Sequence, residues 1–358
     1  MFKIIALVLA CISLCGCVSV SVQANTIPAS IYLTEAEETA VLSAPVTAGV
    51  TAEPVTKETT VTTTTAETTT TTEVTTTVTT TTVETTAPPV YTNTITLLGP
   101  NMVYTGESFR YTYDISHRNA ERASVLWQCD GDSGKLTTDG EFLALKKGTV
   151  TLKISDISNG LTDTLTVHVV DSPADVDFVP EVNGIPIANK TYPVPADYNP
   201  GLLTETYDAF LELKQAALNE GLEINFMSGF RSYDEQTEVY KGWNEIYASE
   251  ADRISARPGH SEHQLGLAID VNSVEFSFAE TPEGLWLAEN CYKFGFIIRY
   301  KKDTEHITGY MYEPWHIRYL GKDIAEKVHF SGLTLEEYLG IDSRYRVETF
   351  DFGEEDID

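Results

Sequence analysis

Two short segments carry the residue types from which a metal-assisted hydrolytic site can be built. The first, Ser261-Glu-His263-Gln-Leu-Gly266-Leu-Ala268-Ile-Asp270, offers an imidazole and a carboxylate; the second, Glu313-Pro314-Trp315-His316, offers another imidazole with a carboxylate three residues before it. A catalytic zinc takes three nitrogen or oxygen ligands from the protein and keeps a fourth position for water, whose pKa it lowers toward neutrality. Something must accept that water's proton, and a carboxylate fixed by the same strand or turn as a ligand is well placed to do so. Glu313 stands in that position.

The surrounding residues indicate which elements hold these groups. Residues 267–271 form a short, mostly apolar run that reads as a buried strand, and its lone carboxylate, Asp270, is costly to bury unless paired or metal-bound. Gly266 lets the backbone turn between His263 and that strand. Pro314 disfavours a helical Glu313 and predicts an extended or turn entry into a second strand over 315–319. His316 is then expected to project from a strand with Glu313 at its mouth. Any one of these residues alone reads as an ordinary hydrogen-bonded structural group; their coincidence favours a metal site. The helical H-E-x-x-H signature is absent.

The longer segments Pro258-Gly-His260-Ser261-Glu262-His263-Gln264-Leu-Gly266-Leu-Ala268-Ile-Asp270 and Glu313-Pro-Trp-His316-Ile-Arg-Tyr319 resemble the signature motifs of zinc D-alanyl-D-alanine carboxypeptidases of the VanY type. The upstream Ser228-Gly-Phe-Arg231-Ser-Tyr233-Asp-Glu-Gln236 belongs to the same resemblance, which covers roughly residues 183–343. It implies an α+β catalytic domain of the zinc D-Ala-D-Ala peptidase, hedgehog-like kind. Zinc is then bound by His263, Asp270 and His316, with Glu313 as catalytic base and Arg231 stabilising the oxyanion. The implied reaction removes the terminal D-alanine of peptidoglycan stem peptides; L,D-carboxypeptidase or endopeptidase action uses the same groups. A non-catalytic surface binding protein is a further alternative, but a binder has no need of the base Glu313.

Arg231 also makes sense on chemical grounds, because a fixed guanidinium aimed at the carbonyl oxygen of a hydrolysed peptide contributes on the order of 3 kcal/mol of selective stabilisation. Its flanking Gly229, Ser232 and Asp234 fit a surface turn equally well. Ser261 and Gln236 are candidates for holding the substrate's terminal groups, and Ser261 could instead cap the turn that carries His263. Trp315 reads as pocket wall or core. His260 and His306 are left out of the ligand set, since a catalytic zinc keeps one position open.

The N-terminus combines Met1-Phe-Lys3 with an apolar run over 4–14, too short for a stable membrane span and suited to a signal peptide over 1–16. The run ends in Leu14-Cys15-Gly16-Cys17, which resembles a bacterial lipobox with Cys17 as the lipid-bearing residue; secretory cleavage after Val22-Gln23-Ala24 is the alternative. Both readings place the protein outside the cytoplasm, either tethered to the membrane and facing the cell wall or secreted. Residues 17–94 are dominated toward their end by threonine, with too little apolar surface to offset the entropy of ordering, and are expected to be a disordered linker.

Residues 95–171 show short alternating runs split by Gly, Asn and Asp, including 109–113, 123–127, 148–153 and 163–169, the pattern of an all-β sandwich. Trp127 and the stretch 139–151 resemble a bacterial Ig-like domain of the group-2 kind, with His168 a structural residue of its last strand. The α+β domain, 172–345, is expected to hold a helix over 205–219 with Tyr207, Phe210, Leu211, Ala217 and Leu218 on its apolar face. That helix stops before Gly221, and further helices are expected over 233–247 and 283–293, with strands around Ile224, Ala268 and Trp315. The tail, 346–358, is acidic and expected to be disordered. Cys129 and Cys291 fall in different domains and read as two separate buried thiols. With 24 basic against 53 acidic residues, a net charge of −29, nucleic acid and anionic bilayers are poor partners; the chain is expected to act as a monomer.

Overall fold

The structure is a computed structural model and describes residues 59–63, 78–82, 92–350 and 352. The segment read as a signal peptide, 1–16, and Cys17 lie outside the described residues. Within the segment read as a disordered linker, Thr59–Thr63 and Val78–Thr82 pair as an antiparallel ribbon, in keeping with the β preference of branched Thr and Val; the remainder of 17–91 is outside the described residues.

The region that follows is all strand apart from one short turn of helix. Thr94–Leu98 pairs with Thr112–Ser116. Met102–Tyr104 runs parallel to Leu161–Val170, which continues through Gly148–Asp156 to Val125–Asp130. Ser108–Arg110, Glu141–Ala144 and Gly134–Leu136 make a third small sheet. The alternation seen in the sequence aims Val150, Leu152 and Ile154 inward, where they meet Ile95, Leu97, Phe142, Val167 and Val169 in one core. The run 109–113 is not one strand. Tyr111 is buried and leaves the ladder, its N–H donating to Gly140 O (2.9 Å) and its hydroxyl to Pro100 O (2.8 Å), so the chain changes partner there.

The boundary expected at 171/172 is packed rather than open. Met102, Tyr104 and Val170 share a core cluster with Val182, Ile187, Tyr192, Ile297, Ala325 and Val328.

The α+β region is built on a four-stranded antiparallel sheet: β1 Phe226–Ser228, β2 Ala268–Val271, β3 Phe296–Tyr300 and β4 Glu313–Tyr319, in the order β1-β2-β4-β3. The first strand starts two residues beyond Ile224, which is itself buried. Helices α1 Thr204–Asn219 and α3 Pro282–Asn290 share the sheet's apolar core through Phe210, Leu213, Trp286, Leu287, Ile269, Val271 and Ile317. The buried face of α1 is rotated from the expected one. Thr206, Ala209, Phe210, Leu213 and Ala217, an i, i+3, i+4, i+7, i+11 set, face inward, while Tyr207, Leu211 and Leu218 are exposed. The alanines let the helix approach closely, and Tyr207 rests edge-on against Phe226. Helix α2 Tyr233–Tyr247 starts at a capping box, Ser232 accepting from Glu235 N and Glu235 from Ser232 N.

The start of the acidic tail is ordered, against expectation. Arg346 pairs with Glu107 at 2.7 Å, Val347 and Glu348 carbonyls accept from Arg257, and the rings of Phe350 and Phe352 lie on Tyr240. Cys129 and Cys291 are free thiols, the first half-buried and the second buried. His168 stacks on Phe178.

Candidate active site

Register explains how the two motifs meet. β2 and β4 are adjacent, with Asp270 directly opposite His316, which brings the two side chains together on one face of the sheet. Glu313 is the first residue of β4, opposite Tyr300. His263 comes from a single 3-10 turn, Glu262–Leu265, that Gly266 ends in the left-handed region (φ 70°). A Cβ on Gly266 would lie 2.2 Å from the Gly201 carbonyl, so the reversal that returns His263 to the sheet requires glycine twice over.

The three donors converge. His263 Nε2 lies 3.2 Å from Asp270 Oδ2 and His316 Nδ1 lies 3.2 Å from Asp270 Oδ1, and the two rings are nearly perpendicular. One ligand atom from each residue lies within 4.8 Å of the others. Asp270 Oδ1 is buried and makes no hydrogen bond despite its near neighbour, an arrangement that a cation between the groups would satisfy. His263 Nδ1 is 2.6 Å from the Gly229 carbonyl, which assigns the ring proton to Nδ1 and leaves the Nε2 lone pair facing the cluster. Two imidazoles and a carboxylate suit zinc in number and type.

Behind the cluster lies a group that sequence reasoning missed. Glu262, fully buried, accepts from Arg299 Nε and Arg318 Nη1, both at 2.8 Å, and Arg299 continues to Glu336 at 2.6 and 2.7 Å. Its other oxygen is 3.6 Å from His316 Nε2, longer than a hydrogen bond. The signal was present in sequence: Arg318 lies two residues after His316 and shares its side of β4, and an arginine there demands a buried partner.

Burial pushes the Glu313 carboxyl up to about 7; Asp270 and Glu262 add to this, while His316 and Arg231 oppose it. Glu313 Oε2 is 3.6 Å from His316 Nδ1. Burial holds the His263 ring below its usual range. For His316 burial also disfavours the charged ring, but Asp270 and Glu262 outweigh it and raise the group to about 9 in the absence of a cation.

Arg231 lies between β1 and α2, its Nη1 donating to Gln236 Oε1 at 2.6 Å and its Nη2 3.9 Å from Asp270 Oδ2. With Ser261, His263, Asp270, Glu313 and His316 it lines a cavity of about 450 Å³, whose outer walls include Trp243, Tyr247, Phe276 and Trp315. Trp315 is thus both wall and core. Ser261 does cap the His263 turn, its Oγ accepting from His263 N at 3.4 Å, and it also faces the cavity. Gln236 does not line the cavity. It is fully buried, and its amide nitrogen is spent on Ser255 Oγ and Ala256 O, so it holds Arg231 rather than a substrate. His260, bound to the Asn189 carbonyl, and exposed His306 stay outside the cluster.

Comparison with known proteins agrees with this geometry. The family model described as VanY, D-alanyl-D-alanine carboxypeptidase, matches residues 200–322. The YodJ protein of Bacillus subtilis is 39% identical over 184 residues, covering 44% of this chain and 67% of the relative. The D-alanyl-D-alanine carboxypeptidase of Enterococcus faecalis is 37% identical over 172 residues, 43% of this chain and 64% of the relative. The chain thus spans about two thirds of the length of these curated relatives. Among solved structures, an L,D-carboxypeptidase DacB from Streptococcus pneumoniae is 40% identical, covering 48% of this chain and 96% of its own, with a TM-score of 0.44. The matched residues carry β1, β2, β3, β4 and every member of the cluster, and on that ground the chain belongs to the VanY family of D-alanyl-D-alanine carboxypeptidases.

Proposed function

We propose that the chain is a zinc-dependent D,D-carboxypeptidase that trims the terminal D-alanine from peptidoglycan stem peptides. The observation that carries this reading is the convergence of His263 Nε2, His316 Nδ1 and the unbonded Asp270 Oδ1 beside a raised carboxyl at the floor of an open cavity. Zinc held by His263, Asp270 and His316 would supply a polarised carbonyl and a water acidic enough to react near neutral pH. Glu313 accepts the proton of the attacking water and returns it to the leaving amine, for which a carboxyl tuned upward by burial is suited. Arg231 offers Nη2 toward the developing negative charge. His263 is oriented from behind by the Gly229 carbonyl, and Glu262, its charge fixed by two arginines, faces His316 Nε2 at 3.6 Å.

The same groups serve L,D-cleavage of a tetrapeptide stem or endopeptidase action, because the bond cut depends on how the cavity receives the acyl side. Incubating the purified chain with pentapeptide, tetrapeptide and cross-linked stems, with mass analysis of the products, separates these. D-alanine released from the pentapeptide is the expected result; release from the tetrapeptide alone assigns L,D specificity, and no cleavage of any stem rejects the peptidase reading. The proposed setting is outside the cytoplasm, with Cys17 lipidated, the threonine-rich segment as a spacer and residues 95–171 as an Ig-like spacer domain, in a monomeric protein. Loss of lipid-precursor labelling in Cys17→Ala tests the anchor.

A further inference from the structure

The ordered start of the C-terminal tail touches the active-site wall through one arginine. Arg257 is 3% exposed, and each of its guanidinium nitrogens donates a hydrogen bond. Its Nε and Nη2 grip Asp252 at 2.9 and 2.8 Å, its Nη1 and Nη2 also donate to the carbonyls of Val347 and Glu348, and its backbone N–H donates to the Tyr345 hydroxyl at 2.9 Å. The Tyr345 ring covers the guanidinium at 3.9 Å. Asp252 in turn accepts from Tyr240 on α2 at 2.8 Å. Immediately before Arg257, the Ala256 carbonyl accepts from Gln236 Nε2 at 2.6 Å, and Gln236 Oε1 accepts from Arg231 Nη1 at 2.6 Å. The links are hydrogen bonds of 2.6 to 2.9 Å; Arg257, Gln236 and Tyr240 are buried and Arg231, Asp252 and Tyr345 half-buried, so the chain is stiff.

We propose that Arg257, clamped by the 345–348 strap, is a positioning residue for Arg231. The strap fixes the 255–257 backbone, that backbone fixes Gln236, and Gln236 fixes the guanidinium that faces the reacting carbonyl. The strap lies beyond residues 200–322, which the family model matches. A second tie extends it, for Arg346 binds Glu107 of the strand-rich region through both terminal nitrogens, at 2.7 and 3.0 Å. The inference rests on the reading of Arg231 as an oxyanion group.

Arg257→Ala risks the fold, so the sharper variant is Tyr345→Phe, which removes one hydroxyl and keeps the ring over Arg257. In the full chain with zinc, Tyr345→Phe is expected to lower kcat on the order of tenfold with KM and zinc content unchanged, because a small displacement of a group that acts in the transition state is felt in turnover. In an Arg231→Lys background the same substitution is expected to have less than about a twofold effect, since the group it positions is gone. Equal factors in both backgrounds, or no effect in either, overturn the proposal. Hydrogen exchange provides a readout independent of turnover: the Arg231 amide, which donates to His263 O, should exchange faster in Tyr345→Phe. If the wild-type chain cleaves no stem peptide, the reading of the site fails on its own, and unchanged exchange then rejects the positioning role as well.

Discussion

Glu313 is the residue whose removal separates metal binding from chemistry. Glu313→Gln keeps shape and is expected to retain one zinc per chain while losing 10²–10⁴-fold in kcat, checked by elemental analysis beside a D-alanine release assay; loss of zinc would show that the carboxylate is a ligand. His260 provides a pH prediction away from the metal. Burial holds its imidazole down at about 4, whereas the unfolded chain titrates near 6.5. Above about 6.5 both states are neutral and stability is complete; as pH falls from there toward 4 the unfolded state takes up the proton first, and stability drops. The loss is about 3 kcal/mol over that window. Urea unfolding of wild type and His260→Asn at pH 7 and pH 4.5 should show a steeper fall in the wild type, and parallel falls would contradict the assignment.

At this scale the sequence was most informative where chemistry restricts the choice of side chain. His263, Asp270, His316, Glu313 and Arg231 could be named because their types and spacing matched a known pair of motifs, and all five meet in the structure. Gln236 was misread because an amide near a candidate site looks like a substrate contact until its partners are known. Glu262 went unnoticed beside His263 because its partners Arg299 and Arg318 lie 37 and 56 residues away and only the fold brings them together.

Among the elements, the turn at Gly266 and the face of α1 bear the most on the site. Gly266→Ala combines a left-handed backbone with a Cβ 2.2 Å from a carbonyl oxygen. It should cost at least about 1–3 kcal/mol and weaken zinc binding, because His263 is carried by that turn; calorimetric titration of zinc beside urea unfolding reads both. On α1, Leu213→Ala is expected to cost about 2–5 kcal/mol and Leu211→Ala less than about 1 kcal/mol, since the first is fully buried and the second 43% exposed. The reverse order would restore the face inferred from periodicity. Helix α2 was legible to its ends, Tyr233 and Tyr247. The α1 face was not, because Thr206 and the alanines that face the core are weakly hydrophobic while Tyr207, Leu211 and Leu218 are strongly so, and only the neighbouring sheet decides which side is covered.

Over the whole molecule, composition drew the order of the regions but not their contacts. The strand-rich part and the α+β part were separable by pattern, yet Met102, Tyr104 and Val170 join the core of their neighbour, and the tail that reads as solvated acid is held by Arg257, Arg346 and Tyr240. Such long-range contacts leave no local trace in sequence. The proposed mechanism depends on zinc, and restoring zinc to chelator-stripped protein while following D-alanine release from a pentapeptide stem tests it most directly. Activity should vanish on stripping, return in proportion to added zinc and saturate at one equivalent per chain, and stay absent in His316→Ala. Cleavage that survives complete metal removal, or full activity in His316→Ala, would contradict it.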